Sequence, residues 1–423
     1  MSVAWWREPT KGQWASFGAA WAGWVMDAFD FSVFLLVMPQ ISKEFGVGIT
    51  ATAGSITLTL LLRLLGGVAA GAAADKWGRK LPLMLSVIGF ALCDGAVAFA
   101  PSFAWVLVLR TIFGFAMGAE WASGATLAME NWPARSRGIA SGVLQGSWAI
   151  GYFLAAVAAA VVVPRFGWRA LFVLAALPAL LVLPIRAWVP ESEEWQRSRR
   201  EPVKQSARDE SGSLRPLLTT IAWGSVVMGL GFSAYYALTA LYPTFVQKEL
   251  GLDVAGMARH VQLFQVGMLV GAIACGVAAA RKGVLAAVAT PALLTLAVLP
   301  MYVGTWPALL PLGALLCGAV GAGYAGVTPL LLTSLFPAHI RARCVGLVYH
   351  VGACVGAFVP TGIAALSEYA GMSLGRAILL VAGCAQMALV AALVLRPRGT
   401  PLEAGAAPAS EPPPAASSLV GEP

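Results

Sequence analysis

Charged residues are scarce in this chain, and their scarcity excludes most soluble folds. Lys, Arg, Asp and Glu make up 11% of the 423 residues, whereas soluble domains carry about 25%. Only three histidines are present, and none of the six cysteines belongs to a Cys-x-x-Cys pair. This composition indicates no metal cluster, disulfide framework or nucleophile–base pair. We therefore expect neither an enzyme nor a protein with a metal, a cofactor or a nucleic-acid partner.

Long apolar runs take the place of the missing charge, and 59% of the residues are hydrophobic. Twelve runs are each long enough to cross about 30 Å of hydrocarbon as a helix. They lie at about 14–38, 52–73, 81–99, 103–126, 138–162, 168–189, 217–246, 259–280, 284–304, 307–333, 342–366 and 374–395. The sequence thus predicts an all-α membrane protein with twelve transmembrane helices.

The basic residues predict how these helices are oriented. With an even number of spans both termini lie on one side, and that side holds 20 of the 28 Lys and Arg residues, whereas the opposite loops hold 6. The positive-inside rule places both termini in the cytoplasm. We expect a multi-pass protein of the plasma (inner) membrane, with the first span as an uncleaved signal-anchor.

A polar stretch divides the spans into six and six. It defines an N-terminal half (1–189), a cytosolic linker (190–216), a C-terminal half (217–396) and a tail (397–423) rich in Pro and Ala, which we expect to be disordered.

The two halves repeat each other in sequence. Trp132-Pro-Ala-Arg-Ser-Arg137 returns as Phe336-Pro-Ala-His-Ile-Arg341, 204 residues later, and Lys43-Glu-Phe-Gly46 returns as Lys248-Glu-Leu-Gly251, 205 residues later. Two homologous six-helix halves in the same orientation indicate a parallel-repeat transporter, whose site lies between the halves near the bilayer midplane. We expect pseudo-symmetric halves and a monomer.

The loop after the second span carries a sequence motif. Gly71-Ala-Ala-Ala-Asp75-Lys-Trp-Gly78-Arg79-Lys80 resembles the G-x-x-x-D-[RK]-x-G-R-[RK] signature of the major facilitator superfamily. The resemblance implies a latch between the halves on the cytoplasmic side; the alternative is a solvated basic loop that only sets orientation. The predicted gating residues are Gly71, Asp75, Gly78, Arg79, Arg110 and Arg135.

A second motif lies in the fourth span. Arg110-Thr-Ile-Phe-Gly114-Phe-Ala-Met-Gly118 resembles another signature of that superfamily, an intramembrane Arg followed by spaced glycines. The glycines are also typical of close helix packing. Arg110 itself is costly in hydrocarbon and therefore needs a functional or electrostatic partner.

Acidic groups outnumber basic groups inside the spans. The carboxylates are Asp27, Asp30, Asp94 and Glu120, and the cations are Arg63 and Arg110. A surplus carboxyl group in a dry cavity tends to hold a proton and to release it when wetted, which is the chemistry of a proton symporter. We predict proton coupling through Asp27, Asp30 and Glu120, with the proton as coupling ion. Asp94 is expected to be hydrated near the outer end of its span.

Arg63 is the candidate for binding a carboxylate substrate through two parallel hydrogen bonds. The alternative is a fixed neutral pair with Asp27. The repeat also matches the ionic N-terminal positions with aromatic ones in the C-terminal half. The predicted substrate-binding residues are Arg63, Gln145, Trp148, Tyr152, Tyr235, Tyr236, Tyr324, Tyr349 and His350.

Several further segments resemble the sialate:proton symporter family, in its lactate and monocarboxylate branch. They are Asp27-Ala-Phe-Asp30-Phe31, Leu58-Thr-Leu-Leu-Leu-Arg63, Gly118-Ala-Glu120-Trp121, Gly142-Val-Leu-Gln145-Gly146, Tyr152, Gly167-Trp-Arg169, Leu241-Tyr-Pro-Thr244 and Val348-Tyr-His350. The resemblance implies proton-coupled uptake of a small organic monocarboxylate across the lipid bilayer. Where similar lactate permeases carry His, Gln and Asp, this chain has Tyr236, Thr239 and Ala240. Lactate is therefore not the expected cargo by this resemblance alone, and the aromatic positions leave room for a larger or more apolar one.

Two other functions are compatible with parts of this sequence. An exporter or exchanger of aromatic or cationic compounds would use the same fold and would have Arg63 engaged by Asp27. A non-transporting membrane sensor would need a signalling domain, and neither the linker nor the tail offers one.

Overall fold

The computed structural model describes residues 5–77, 80–118, 132–133, 136–188, 217–304, 306, 308–336 and 340–397. These residues are almost entirely helical, with no β-strand among them. The α-helices are α1 (Lys11–Phe45), α2 (Ile49–Trp77), α3 (Lys80–Val97), α4 (Phe103–Met117), α5 (Arg137–Trp188), α6 (Leu218–Thr239), α7 (Tyr242–Lys248), α8 (Val254–Lys282), α9 (Val284–Val303), α10 (Leu310–Cys317), α11 (Thr328–Ser334), α12 (Arg341–Gly356), α13 (Phe358–Glu368) and α14 (Leu374–Val394). The predicted linker 190–216 lies outside the described residues, as does the tail beyond Pro397.

Nine helical segments in the described part of the chain are long and apolar enough to cross a bilayer, and twelve were predicted. The predicted third and fourth spans contain shorter apolar helices, Met84–Val97 and Phe103–Met117, and the described part of the fourth ends at Gly118. The predicted fifth and sixth spans form one segment, α5, which Gly167 breaks with a left-handed φ of 77°. Large apolar side chains remain exposed on the outer faces of the helices, as in a multi-pass membrane protein.

Glycines with a left-handed (positive) φ occur at positions that the sequence repeat relates to each other. Gly46 (φ 63°) ends α1 and Gly251 (φ 67°) follows α7, whereas Gly167 (φ 77°) and Gly371 (φ 68°) each precede the last span of a half. Only glycine adopts this conformation without steric cost. Equivalent turns therefore stand at equivalent places in the two halves.

Two glutamates related by the repeat brace these turns. Glu44 accepts hydrogen bonds from Trp168 Nε1 at 2.5 Å and from Arg169 Nη2 at 2.7 Å. Its counterpart Glu249 accepts from the backbone N–H groups of Leu374 and Gly375, the latter at 3.2 Å. Each carboxylate thus ties the C-terminal end of the first span of its half to the start of the last.

Gly114 allows α2 and α4 to pack in contact. A Cβ at this position would lie 2.0 Å from the backbone oxygen of Thr59, far inside van der Waals contact. The repeat preserves the arrangement, since a Cβ on Gly318 would lie 2.0 Å from the oxygen of Phe264. Close backbone approach through small residues is the usual basis of helix association in membranes.

We expect Gly114→Ala to destabilise the protein by about 1–3 kcal/mol, because α2 and α4 must separate to admit the methyl group. Gly54→Ala is the matched control: it lies on α2, and its Cβ would meet nothing within 4 Å. Thermal unfolding of the purified variants in detergent checks this difference. Equal midpoints for Gly114→Ala and Gly54→Ala would contradict the packing argument.

The two halves meet along both flanks. On one flank, Ser141 Oγ of α5 donates to the oxygen of Gly326 at 2.7 Å. On the other, Thr57 Oγ1 of α2 donates to the oxygen of Ala357 at 2.7 Å, and Glu368 accepts from the backbone N–H of Thr50 at 2.9 Å. Between these flanks a space remains, and the candidate site lies there.

Candidate functional site

A cavity lies between the two halves. Its empty space is about 810 Å³, including its opening. Its walls come from α2 and α5 of the N-terminal half and from α6, α8, α9, the tenth predicted span, α12 and α14 of the C-terminal half. The lining residues are Arg63, Gln145, Trp148, Val227, Met228, Gly231, Phe232, Tyr235, Tyr236, Met268, Val288, Ala322, Tyr324, Ala325, Thr328, Leu331, Tyr349 and Leu389.

Seven of the nine predicted substrate-binding residues meet in this cavity. They are Arg63, Gln145, Trp148, Tyr235, Tyr236, Tyr324 and Tyr349. Tyr152 and His350 are not among its lining residues. The N-terminal wall contributes the charged group and an amide, whereas the C-terminal wall is mainly aromatic and apolar.

Arg63 is the cation of the cavity wall, and it is only 1% exposed. Its guanidinium carbon lies 5.7 Å from the ring centre of Tyr349 on α12. Its Nε and Nη2 atoms have no hydrogen-bond partner among the described residues. These two N–H groups form one edge of the guanidinium, and this edge fits both oxygens of a carboxylate.

Aromatic rings on α6 form the opposite wall. Phe232 and Tyr236, four residues apart on one helix face, stack with centroids 5.8 Å apart and an interplanar angle of 13°. Tyr235 accepts a hydrogen bond at its hydroxyl from Trp148 Nε1 of α5 at 2.7 Å. This bond joins the two halves at the cavity itself.

Tyr152 lies one helical turn beyond Trp148, on the face of α5 that meets the end of α6. Its hydroxyl donates to the backbone oxygen of Thr239 at 3.4 Å. The predicted seventh span, 217–246, is interrupted here, since α6 ends at Thr239 and α7 begins at Tyr242. Because Pro243 has no N–H, the Thr239 oxygen lacks its helical donor, and Tyr152 takes that place across the halves.

Tyr302 supports the same break from α9. Its hydroxyl donates to the oxygen of Leu238 at 2.7 Å, and its ring stacks on Tyr242 with centroids 4.0 Å apart. Removing the hydroxyl in Tyr302→Phe leaves a buried carbonyl without this donor, which should destabilise the protein by about 1–3 kcal/mol. Thermal unfolding measures this, with the exposed Tyr369→Phe as control, and equal losses in both variants would contradict it.

His350 turns away from the cavity toward α2. Its Nδ1 lies 2.7 Å from the oxygen of Gly346, and because a carbonyl only accepts, this nitrogen carries the proton. Its Nε2 lies near Gly67, where an added Cβ would come within 3.0 Å. The structure therefore places His350 in the packing between α12 and α2.

The intramembrane carboxylates fall into separate environments. Asp94 is fully buried and pairs with Arg110 Nη1 at 3.0 Å, so the expectation of a hydrated Asp94 is wrong. Arg110 also lies over the ring of Phe113, 4.1 Å from its centre.

Asp27 and Asp30 are both buried on α1, and Asp30 is close enough to Arg110 to interact with its charge. Glu120 lies outside the described residues.

The predicted gating residues are described in part. Gly71 and Asp75 lie in the last two turns of α2, and Arg110 lies inside the N-terminal half. Gly78, Arg79 and Arg135 lie outside the described residues.

The sequence interpretation missed several apolar lining residues, and the repeat contains the signal for two of them. Phe232 stands 205 residues after Asp27, and Met268 stands 205 residues after Arg63. Both line the cavity opposite the ionic wall. Extending the repeat comparison from the polar positions to their apolar counterparts would have found them.

Comparison with known proteins agrees with this architecture. The profile of the Major Facilitator Superfamily matches residues 20–349. The chain is 30% identical over 382 residues to a probable 4-methylmuconolactone transporter of Cupriavidus pinatubonensis, covering 88% of this chain and 87% of that protein. It is 28% identical over 401 residues to the sialic acid transporter NanX of Escherichia coli, covering 92% and 96%.

Solved structures share the fold. The crystal structure of a D-xylose-proton symporter superposes with a TM-score of 0.76 at 18% identity, covering 92% of this chain and 98% of that one. The helical halves, the cavity between them and the matched profile lead to one assignment. This chain is a membrane transporter of the major facilitator superfamily.

Proposed function

We propose that the protein carries a small organic monocarboxylate together with a proton, by alternating access of the cavity to the two sides of the membrane. The proposal rests on the unsatisfied hydrogen-bond donors of Arg63. A buried guanidinium whose Nε and Nη2 have no partner among the described residues leaves costly polar groups unsatisfied. A carboxylate bound along that edge satisfies both groups and neutralises the charge.

The aromatic wall of the cavity favours an acid whose remaining part, beyond the carboxylate, is planar or apolar. Phe232, Tyr235, Tyr236 and Tyr349 face the space next to Arg63, and their rings offer large apolar surfaces to the part of the ligand beyond its carboxylate. The related transporters named for 4-methylmuconolactone and sialic acid agree with an organic cargo. An unsaturated or cyclic monocarboxylate fits such walls better than a short, fully hydrated acid.

The remaining charges support proton coupling. The described residues within the spans include three buried carboxylates, Asp27, Asp30 and Asp94, and two buried cations, Arg63 and Arg110. A carboxylate that enters on Arg63 adds a further negative charge to the N-terminal half. Protonation of Asp27 or Asp30 relieves this excess, because net charge at this depth is costly. The proposed place of the protein is the plasma (inner) membrane, with both termini cytoplasmic and the monomer as the working unit.

The alternative function is export or exchange of aromatic or cationic compounds. The aromatic rings favour it, since such rings attract cations. The open Nε–Nη2 edge of Arg63 disfavours it, because a guanidinium in the cavity wall repels a cationic cargo.

Proteoliposomes with an imposed pH gradient separate the two functions. Radiolabelled benzoate, nicotinate and lactate should accumulate when the side of entry is acidic, at least one of them several-fold above the level without a gradient. Protein-free liposomes set the background for passive diffusion of the protonated acids. Accumulation of a lipophilic aromatic cation, with none of the acids above background, would establish the alternative instead.

A further inference from the structure

The helix α2 begins without a capping side chain of its own. Its first residue is Ile49, and the backbone oxygen of the preceding Gly48 accepts the first helical hydrogen bond, from the N–H of Thr52 at 3.2 Å. Gly48 therefore occupies the N-cap position, where a Ser, Thr, Asp or Asn side chain usually accepts from N–H groups of the first turn. Glycine has no side chain with which to do so.

The sequence repeat shows which residue the glycine stands in for. Gly48 is matched 205 residues later by Asp253, the N-cap of α8. Asp253 Oδ1 accepts from the N–H of Gly256 at 2.8 Å, so the second span of the C-terminal half is capped from within that half. The equivalent helix of the N-terminal half lacks this carboxylate.

A carboxylate from the opposite half caps α2 instead. Glu368, the last residue of α13, accepts through Oε2 from the N–H of Thr50, the second residue of α2, at 2.9 Å. Its other oxygen fills the space that a side chain at residue 48 would need, because a Cβ on Gly48 would lie 2.0 Å from Oε1. The carboxylate also places a negative charge at the N-terminus of α2, where the helix dipole favours one.

This cap lies at the end of the bundle where α1 ends and α14 begins, which we call the distal end. The halves also meet there between α1 and α7, since Gln40 Nε2 donates to Gln247 Oε1 at 2.8 Å. Arg63 lies thirteen residues after Thr50, about 20 Å along α2. The start of α2 therefore closes the distal end, while a later part of the same helix lines the cavity.

We propose that Glu368 is a gate residue, whose cap on α2 holds the distal end closed and whose release accompanies opening of the cavity there. Because the carboxylate belongs to the other half, the first turn of α2 is capped by it only while the halves are in contact. An aspartate at position 48 would cap α2 in the open and the closed state alike. The proposal rests on the alternating access of the proposed function, but on no particular cargo.

Hydrogen–deuterium exchange of the purified protein in detergent, without ligand, tests this gate. The segments to follow are 36–45 of α1 and 242–248 of α7, because they meet at the distal end and take no part in the cap. Gly48→Asp supplies α2 with its own cap and displaces the Glu368 carboxylate. Exchange in both segments should therefore rise about 3- to 10-fold, the effect of one cap on the equilibrium, while the thermal midpoint is retained.

Two further variants separate the gate from helix capping as such. Glu368→Ala removes the cap and the contact between the halves, so it should raise the exchange of both segments and lower the thermal midpoint. Asp253→Ala removes a cap that is confined to one half. It should lower the thermal midpoint and leave the exchange of 36–45 at the level of the unmodified protein.

The outcomes distinguish this proposal from the proposed function. If Gly48→Asp and Glu368→Ala leave the exchange of both segments unchanged, Glu368 only stabilises α2 and the gate is wrong, while carboxylate transport stands. The gate is equally wrong if Asp253→Ala raises the exchange of 36–45 as much as Glu368→Ala does. If the distal end opens as expected but benzoate, nicotinate and lactate are not transported, the proposed cargo fails and the gate stands.

Discussion

Replacing Arg63 with lysine should weaken carboxylate binding by about 10- to 100-fold and leave the fold intact. Lysine retains the positive charge but not the flat edge formed by Nε and Nη2, so one of two charge-assisted hydrogen bonds is lost. Such a bond contributes about 1.5–3 kcal/mol. Titration calorimetry on the purified variant measures the dissociation constant, and the thermal midpoint reports the fold.

A matched control distinguishes the loss of a binding contact at Arg63 from a general effect of replacing an arginine with lysine. Arg165 is exposed on α5 two residues before the Gly167 break and does not line the cavity, so Arg165→Lys should bind the acid as the unmodified protein does. Arg110→Lys makes the opposite contrast, because Arg110 pairs with the fully buried Asp94. Arg110→Lys should therefore lower the thermal midpoint of the protein, which Arg63→Lys should not do. Wild-type affinity in Arg63→Lys would remove Arg63 from the site.

The result also decides between the two functions. If Arg63 served only to neutralise a buried aspartate, lysine would do so nearly as well and binding would change little. A large loss of affinity with an unchanged thermal midpoint therefore points to a ligand that uses both N–H groups. The same comparison with a cationic aromatic probe should show no loss, since that probe has no carboxylate to bind.

Much of the cavity was predictable because helix periodicity and the repeat act on the same positions. Gln145 and Trp148 are three residues apart on α5, and Tyr349 stands 204 residues after Gln145. Helix geometry places the first two on one face, and the repeat places Tyr349 at the matching point of the other half. All three line the cavity.

Two predicted binding residues, His350 and Tyr152, do not line the cavity. Residue spacing did not predict this, because it does not specify which neighbouring helix a side chain meets. His350 follows Tyr349 directly, and successive helix positions differ by about 100°, so the helix turns one residue to the cavity and the other to Gly67. Tyr152 shares a face with Trp148, but α6 has already ended at its level. Its hydroxyl therefore binds a backbone oxygen.

The error at Asp94 has a similar origin. Its depth in the third predicted span indicated contact with water, but depth does not reveal which helix covers a side chain. The packing of α3 against α4 brings Arg110 to 3.0 Å. A tertiary ion pair of this kind cannot be read from either helix alone.

Changing Asp27 and Asp30 together to asparagine should abolish pH-driven accumulation while retaining exchange of substrate. One pH unit supplies about 1.4 kcal/mol per proton, or a tenfold concentration ratio. A neutral amide can neither take nor release that proton, so uptake under the gradient should fall to the level seen without it. Counterflow between equal pH values should persist, since it needs Arg63 and the cavity but no net proton movement.

Asp253→Asn supplies the control for this chemical change. Asp253 caps α8 by accepting from the N–H of Gly256 at 2.8 Å, and asparagine caps a helix equally well, so accumulation should be unaffected. The single variants Asp27→Asn and Asp30→Asn, and Glu120→Gln beside them, assign the proton within the set. Interacting carboxyl groups titrate together, so we expect each single change to lower accumulation and only the double change on α1 to abolish it. Undiminished accumulation in the double variant would show that the proton travels by another route.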